Sequence, residues 1–145
     1  MRNPDKEMPI KTVLDTNILV SGLANQSGAT AKVIDRWLDG QFVILSSKPV
    51  FDEYSRVLLS HPKVSRNNAT TLLNGLTKLA QVVQIEEKLT ICKDPSDNVF
   101  LETAIDGDAK YLVTKNIKHF PFKRYQQVEI VRVAKFLSRL EKEFG

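Results

Sequence analysis

The chain is poor in the residues that build sulfur-based structure. Among its 145 residues there is a single cysteine, Cys92, so neither an internal disulfide nor a cysteine zinc cluster can form. Histidine is scarce as well, with two residues, His61 and His119, that do not cluster into a ligand pair. A lone thiol suits a reducing compartment, and the expected location is the cytoplasm. No apolar run approaches the ~20 residues of a membrane span, so no membrane partner is expected. The opening segment, residues 1–11, is polar and lacks the apolar stretch and small-residue cleavage site of a secretory signal. About residues 1–10 are expected to form a flexible tail. Internal repeats, low-complexity tracts and linkers are also absent, which leaves a single domain over residues 1–145 as the expected organisation.

What is present is an ordinary globular composition, 42% hydrophobic and 26% charged, in a chain long enough to bury a core. The formal net charge is +4 and the pI about 9.2, a mild basic bias compatible with a polyanionic partner. Several basic residues crowd the last quarter: Lys110, Lys115, Lys118, His119, Lys123, Arg124 and Arg132. Such a run is either a phosphate-contact surface or a solvated face.

Short apolar runs alternate with helical patterns. Residues 12–14, 42–45, 82–85, 111–114 and 128–131 read as strands, apolar throughout rather than alternating. Residues 29–39, 48–59, 66–80, 94–107 and 133–143 read as helices. Gly40 stands where the first of these needs a C-terminal stop. Ser47 is placed to cap the second, with Pro49 in its first turn. The 66–80 pattern predicts Leu72, Leu73, Leu76, Leu79 and Ala80 as its apolar stripe. Strand–helix alternation with apolar strands predicts an α/β fold, a mostly parallel central sheet flanked by helices. Ligands in such folds bind at the carboxyl ends of the strands. Two strands here end in polar residues: Asp15-Thr16-Asn17 and Thr114-Lys115-Asn116.

The candidate chemistry is carboxylate chemistry. Asp15, wedged between two apolar runs, is either a turn-forming acid or a metal ligand. Glu53 lies at the edge of the Val50-Tyr54-Val57 stripe, either as a boundary glutamate or as a second acid. Asp94 suits an N-cap, Pro95 the first helical position and Asp97 the acid of a capping box, so capping alone can account for both aspartates. Yet Asp97 shares a helix face with Leu101 and Ala104, where a carboxylate needs a partner. No basic residue near it in sequence supplies one, and a divalent cation would. Asn116 is a turn residue or a weak neutral ligand. Clustered carboxylates repel unless a cation sits between them. Oxygen-only ligands favour Mg²⁺ or Mn²⁺ over zinc, and such ions support phosphodiester hydrolysis.

These residues fall into a known order. Val13–Leu23 resembles the opening motif of PIN domains, Cys92–Ala104 their third motif and Tyr111–Pro121 their fourth, while Glu53 falls where that family has its helical acid. The resemblance spans essentially the whole chain and is closest to small prokaryotic members, the VapC-like toxin ribonucleases of toxin–antitoxin pairs. It implies a Rossmann-like sheet with an acidic pocket that binds one or two Mg²⁺ or Mn²⁺ ions and cuts RNA. It further implies an antitoxin protein as partner, and a homodimer. Carried over, Asp15 and Asp97 would be the principal ligands. Glu53 would bind metal directly or through water, or orient the attacking water, and Asp94 would be an additional ligand or orienting group. Thr16 and Asn17 would hold Asp15 or contact phosphate. Thr114, Lys115, Asn116 and Lys118 would support the site or steer the RNA backbone. The sequence departs in one place: Asn116 stands where many PIN nucleases carry Asp, which removes one negative charge from the second metal site. The alternative is a catalytically weak PIN-like module that binds RNA or a protein.

Overall fold

A computed structural model describes residues 9–86 and 88–145. The tail expected over about residues 1–10 falls, for residues 1–8, outside the described residues. Ile10 already packs against the core, and its carbonyl accepts from the Val43 N–H at 2.8 Å.

The chain runs β1 (Lys11–Leu14), α1 (Thr16–Ala24), α2 (Ala29–Leu38), β2 (Val43–Ser46), α3 (Lys48–Ser60), α4 (Arg66–Leu79) and β3 (Gln81–Val82). It continues with α5 (Asn98–Asp106), β4 (Tyr111–Val113), β5 (Arg124–Tyr125), β6 (Val128–Val131) and α6 (Val133–Phe144). The six strands form one sheet in the order β3-β2-β1-β4-β6-β5. Every pairing is parallel except β5 with β6. The expected α/β architecture with a mostly parallel sheet is what the chain adopts. β1 and β4 are central neighbours, with Leu14 opposite Val113. Helices cover both faces, so Thr12, Val13 and Leu14 are all buried, which explains the non-alternating apolar strands.

Local sequence sets the boundaries. Ser47 and Ser65 accept capping hydrogen bonds from the Val50 and Asn68 N–H groups, at 3.4 and 3.0 Å. Gly40, at φ +78°, closes α2 in a left-handed turn: its N–H bonds the Trp37 carbonyl and the Gln41 N–H the Arg36 carbonyl. Between the sheet and the helices lies a core that includes Leu14, Ile18, Leu45, Phe100, Leu101 and Leu112. Phe136 of α6 meets Phe42 and Tyr111 edge-on, at 5.0 and 5.6 Å between ring centres.

Three expectations need correction. The 82–85 strand shrinks to Gln81–Val82, because the chain then leaves the sheet edge and the Glu86 N–H turns to the Asp106 carboxylate at 2.7 Å. The α4 stripe loses Leu79, which lies off the packed face and is 56% exposed, while Leu72, Leu73 and Leu76 are buried and Ala80 packs against the core. The helix expected over 94–107 opens with a 3₁₀ turn over Pro95–Asp97 before α5 begins. The antiparallel edge strand β5 was not anticipated; at two half-polar residues it carries no periodic signal. Among the described residues, no helix is long and apolar enough to cross a membrane.

Candidate functional site

The parallel pairing of β1 and β4 brings their carboxyl ends side by side. The Asp15 N–H bonds the Val113 carbonyl at 2.9 Å, and the Thr114 hydroxyl donates to Asp15 Oδ2 at 2.8 Å. Thr114 is fully buried, and its hydroxyl also accepts from the Asn116 N–H at 3.0 Å, which folds the loop after β4 over the site. Asp15 itself is buried, and its side chain makes no capping hydrogen bond to α1. Burial pushes its carboxyl above the usual range, opposed by the Thr114 hydroxyl, the Thr16 N–H and the nearby His119.

Asp97 reaches the same end of the sheet from the turn that opens α5. It is buried beside Leu101 and Ala104, as their shared face predicts. Burial first, and the charge of Asp15 second, push its carboxyl up to about 6; His119 works against this, while Asp94 and Glu53 add to it. Its Oδ2 is sealed from solvent and has no hydrogen-bond partner. His119 Nδ1 lies 3.4 Å from that oxygen, within ion-pairing range but outside hydrogen-bond geometry. The four acids singled out in the sequence therefore feel one another across a common site.

Glu53 comes from the first turns of α3, which packs against α1. Its side chain is 22% exposed, receives a hydrogen bond from the Thr16 hydroxyl, and has the Arg56 guanidinium 4.0 Å away. Thr16 thus fixes Glu53 through its hydroxyl, while only its N–H faces Asp15. Beneath them the buried Tyr54 donates its hydroxyl to the Leu14 carbonyl, a tie between α3 and β1 just before Asp15. Burial, and then the charges of Asp15 and Glu53, hold the phenol far above its ordinary range.

Asp94 and Asp97 separate into two roles. Asp94 is exposed, and its Oδ1 accepts from the Ser96 N–H and hydroxyl at 3.0 and 2.9 Å, which holds its carboxyl below the usual range. It is the cap. Asp97 makes no side-chain capping bond to α5, so capping does not explain its burial.

Asn17, Lys115, Asn116 and Lys118 are exposed around the rim. Asn17 points to solvent from the first turn of α1, and the hydroxyl that holds Asp15 is that of Thr114. Lys115 turns away from the acids and donates to Ser21 Oγ at 2.9 Å. The basic stretch of the last quarter is not one surface. Lys115, Lys118, His119 and Arg132 follow the carboxyl ends of β4 and β6, whereas Lys110 precedes β4 and Arg124 pairs with Glu129 near the start of β6. Two residues of the site carried no signal of their own in the sequence: His119, one more cation in a basic run, and Tyr54, one more residue of an apolar stripe.

Among the described residues no three His, Cys, Asp or Glu side chains close into a preformed metal cluster. The donor set nevertheless fits a hard divalent cation. Its acids are oxygen donors, Asp15 and Asp97 are desolvated and hard to ionise without a compensating charge, and Asp97 offers an oxygen that accepts no hydrogen bond.

A family model described as PIN domain matches residues 11–118, a span that holds Asp15, Glu53, Asp94, Asp97 and Thr114. Among curated proteins, the uncharacterized protein MJ1680 of Methanocaldococcus jannaschii is 26% identical over 109 residues, 72% of this chain and 70% of that one. Among solved structures, VapBC2 of Rickettsia felis, bound to a DNA fragment from its promoter, matches with a TM-score of 0.58 at 20% identity over 84% of this chain and 98% of its own. VapBC-1 of nontypeable Haemophilus influenzae matches with a TM-score of 0.58 at 17% identity over 86% and 98%. At such identities the two structures speak for the fold. The family match covers most of the chain and every acid of the site, and the chain belongs to the PIN-domain family.

Proposed function

We propose that the chain is a divalent-metal-dependent endoribonuclease, acting as the toxin of a toxin–antitoxin pair. The observation that carries this reading is the buried Asp97 Oδ2, which accepts no hydrogen bond and has only His119 beside it, set in the field of Asp15, Glu53 and Asp94. Burial and repulsion of this kind cost stability unless a cation is bound, so they mark a functional site rather than a structural one. Family membership supports a nuclease, and the likeness to VapBC structures supports an antitoxin partner. A cytoplasmic homodimer is part of the same reading.

Asp15 and Asp97 would hold one Mg²⁺ or Mn²⁺, with Glu53 completing the set directly or through water. A second ion would bind more weakly, because Asn116 carries no charge. Such an ion supplies Lewis-acid chemistry: it lowers the pKa of a water and offsets charge that develops on phosphate. The chain's own residues do the positioning. Thr114 fixes the rotamer of Asp15, and the Thr16 hydroxyl fixes Glu53. Asp94 tightens the turn that presents Asp97. Lys115 and Lys118 attract the backbone phosphates, and Asn17 and Asn116 offer amide donors at the rim.

The test is cleavage of a mixed set of labelled RNAs in Mg²⁺, Mn²⁺ or EDTA, comparing wild type with Asp15→Asn. Metal-dependent cutting that falls at least 100-fold in a folded variant is the expected result. Wild-type cutting in EDTA, or an equally active variant, would refute the assignment. The exposed, neutral Asn116 favours one rival, a module that binds RNA without cutting it. Metal-independent RNA binding with no cleavage would establish that rival.

A further inference from the structure

A cleft of about 630 Å³ opens beside the acids, and none of the four acids lines it. Its walls come from distant parts of the chain: α1, the start of α2, the α3–α4 loop, the loop after β4 and the start of α6. Lys63, Lys115, Arg132 and His61 converge on it, and no Asp or Glu lines it. None of the three cations pairs with an acid among the described residues. His61 Nδ1 accepts from the Lys63 N–H at 3.1 Å, which holds the ring in the cleft wall. The first residues of α2 also face the cleft, and Gly28 gives them no side-chain cap, which adds positive potential.

Two links place the cleft near the acidic site. Lys115 directly follows Thr114, the residue bonded to Asp15, and reaches across to Ser21 in the cleft wall. Ser21 lies six residues beyond Asp15, which at the helical rise is about 9 Å along α1. A polyanion seated on the acids therefore meets these cations within a short step. The remaining walls are small side chains, apolar at Val20 and Val133 and polar at Ser21, Asn25 and Thr30, and no Phe, Tyr or Trp lines the cleft. The cleft offers cations and backbone N–H groups rather than large aromatic faces, so contact would be chiefly with the phosphate backbone.

We propose that this cleft holds the sugar–phosphate backbone of single-stranded RNA next to the nucleotide being cut. The proposal rests on the ribonuclease reading and adds to it a substrate path defined by Lys63, Lys115, Arg132 and His61. Cations without acid partners, close to the carboxylates proposed to hold the metal, favour RNA over an acidic protein segment.

The test is binding of a fluorescent single-stranded RNA in EDTA, where no cleavage occurs, followed by anisotropy over a salt series. Lys63→Glu/Arg132→Glu is compared with Lys78→Glu/Lys142→Glu, which makes the same charge change on exposed residues in the last turns of α4 and α6. The cleft variant should bind at least tenfold more weakly than this control. Its log–log salt dependence should be shallower by about 1.4, the loss of two single-strand phosphate contacts. Thermal melts confirm that both variants fold, and the milder Lys63→Gln/Arg132→Gln pair should keep the same ranking. Equal weakening in both variants would overturn the cleft while leaving the ribonuclease reading to the Asp15→Asn cleavage assay. Unchanged RNA affinity with lost binding of poly-glutamate would give the cleft to an acidic protein segment and overturn the proposal. Wild-type protein that binds no RNA would overturn it as well.

Discussion

Replacing Asp97 by Asn should stabilise the metal-free protein at neutral pH. The carboxyl titrates at about 6 in the fold against an ordinary 3.8, so the folded state holds its proton more tightly than the unfolded chain. An acid raised in this way contributes no penalty below about pH 3.8; the penalty grows between 3.8 and 6 and is complete above 6. At about 1.36 kcal/mol per unit the whole shift corresponds to roughly 3 kcal/mol. The side chain is 11% exposed and its open edge is screened by solvent, which brings the expectation to about 1–2 kcal/mol. Asn keeps the shape and removes the charge. Because Asp97 makes no capping bond, only the helix-dipole attraction of about 0.3–1 kcal/mol opposes the gain. At about 2–4 °C per kcal/mol, the melting temperature of Asp97→Asn in EDTA at pH 7.5 should rise by about 2–5 °C, and the difference should vanish near pH 4. Saturating Mn²⁺ should reverse the order. A cation at 100 times its Kd adds about 2.7 kcal/mol to the state that binds it, more than the penalty it relieves, and the variant loses that gain. Thermal melts over pH 4–8, with and without Mn²⁺, read all three effects. A variant that melts lower than wild type in EDTA at pH 7.5 would refute the reasoning and return Asp97 to a capping role.

Thr114→Val should lower the melting temperature by several degrees, since it strips a donor from buried Asp15 and an acceptor from the Asn116 N–H, a loss of about 1–3 kcal/mol. The same variant should cut RNA roughly 10–100-fold more slowly; full activity would remove Thr114 from the positioning set. Asn116→Asp should lower the Mn²⁺ concentration for half-maximal cleavage severalfold, and an unchanged metal dependence would detach this position from the metal site. Gly107→Ala should destabilise the fold by about 1–3 kcal/mol, because its Cβ would lie 2.6 Å from both Leu45 Cδ1 and Val83 Cγ2, and 2.9 Å from the Thr103 carbonyl. Denaturant melts measure that cost, and a midpoint equal to wild type would mean that the α5–β4 turn can shift.

The elements that were legible in the sequence are those whose signal is local. Apolar runs gave β1, β2, β4 and β6, Ser47 gave the start of α3, and Gly40 gave the end of α2. Burial of Asp97 followed from its spacing to Leu101 and Ala104. What was not legible depends on which strands become neighbours. The family motif marks Thr114 as a supporting residue, but its bond to Asp15, 99 residues away, has no periodicity to announce it. Only the crossover that lays β4 against β1 brings the two together. His119 illustrates the same limit: in sequence it is one cation among several, and a single 3₁₀ turn over Ile117–His119 sets it beside Asp97.

The two readings of the basic run stay open in the sequence for a related reason. Proximity along a chain implies a shared surface only while the chain does not cross the sheet, and between Lys110 and Arg132 it crosses three times, through β4, β5 and β6. Charges that read as one patch are therefore divided between two ends of the sheet. At the far end Glu129 pairs with Arg124 of the run, and with Lys135 and Arg139 of α6, at 3.0–3.5 Å. At the acidic end Lys115 and Arg132 have no such partner and meet Lys63 and His61, which the sequence places about fifty residues earlier or more. Formal charge counts both groups alike. The fold pairs part of one group with Glu129 and leaves Lys115 and Arg132 of the other without an acid partner among the described residues, close to the acids.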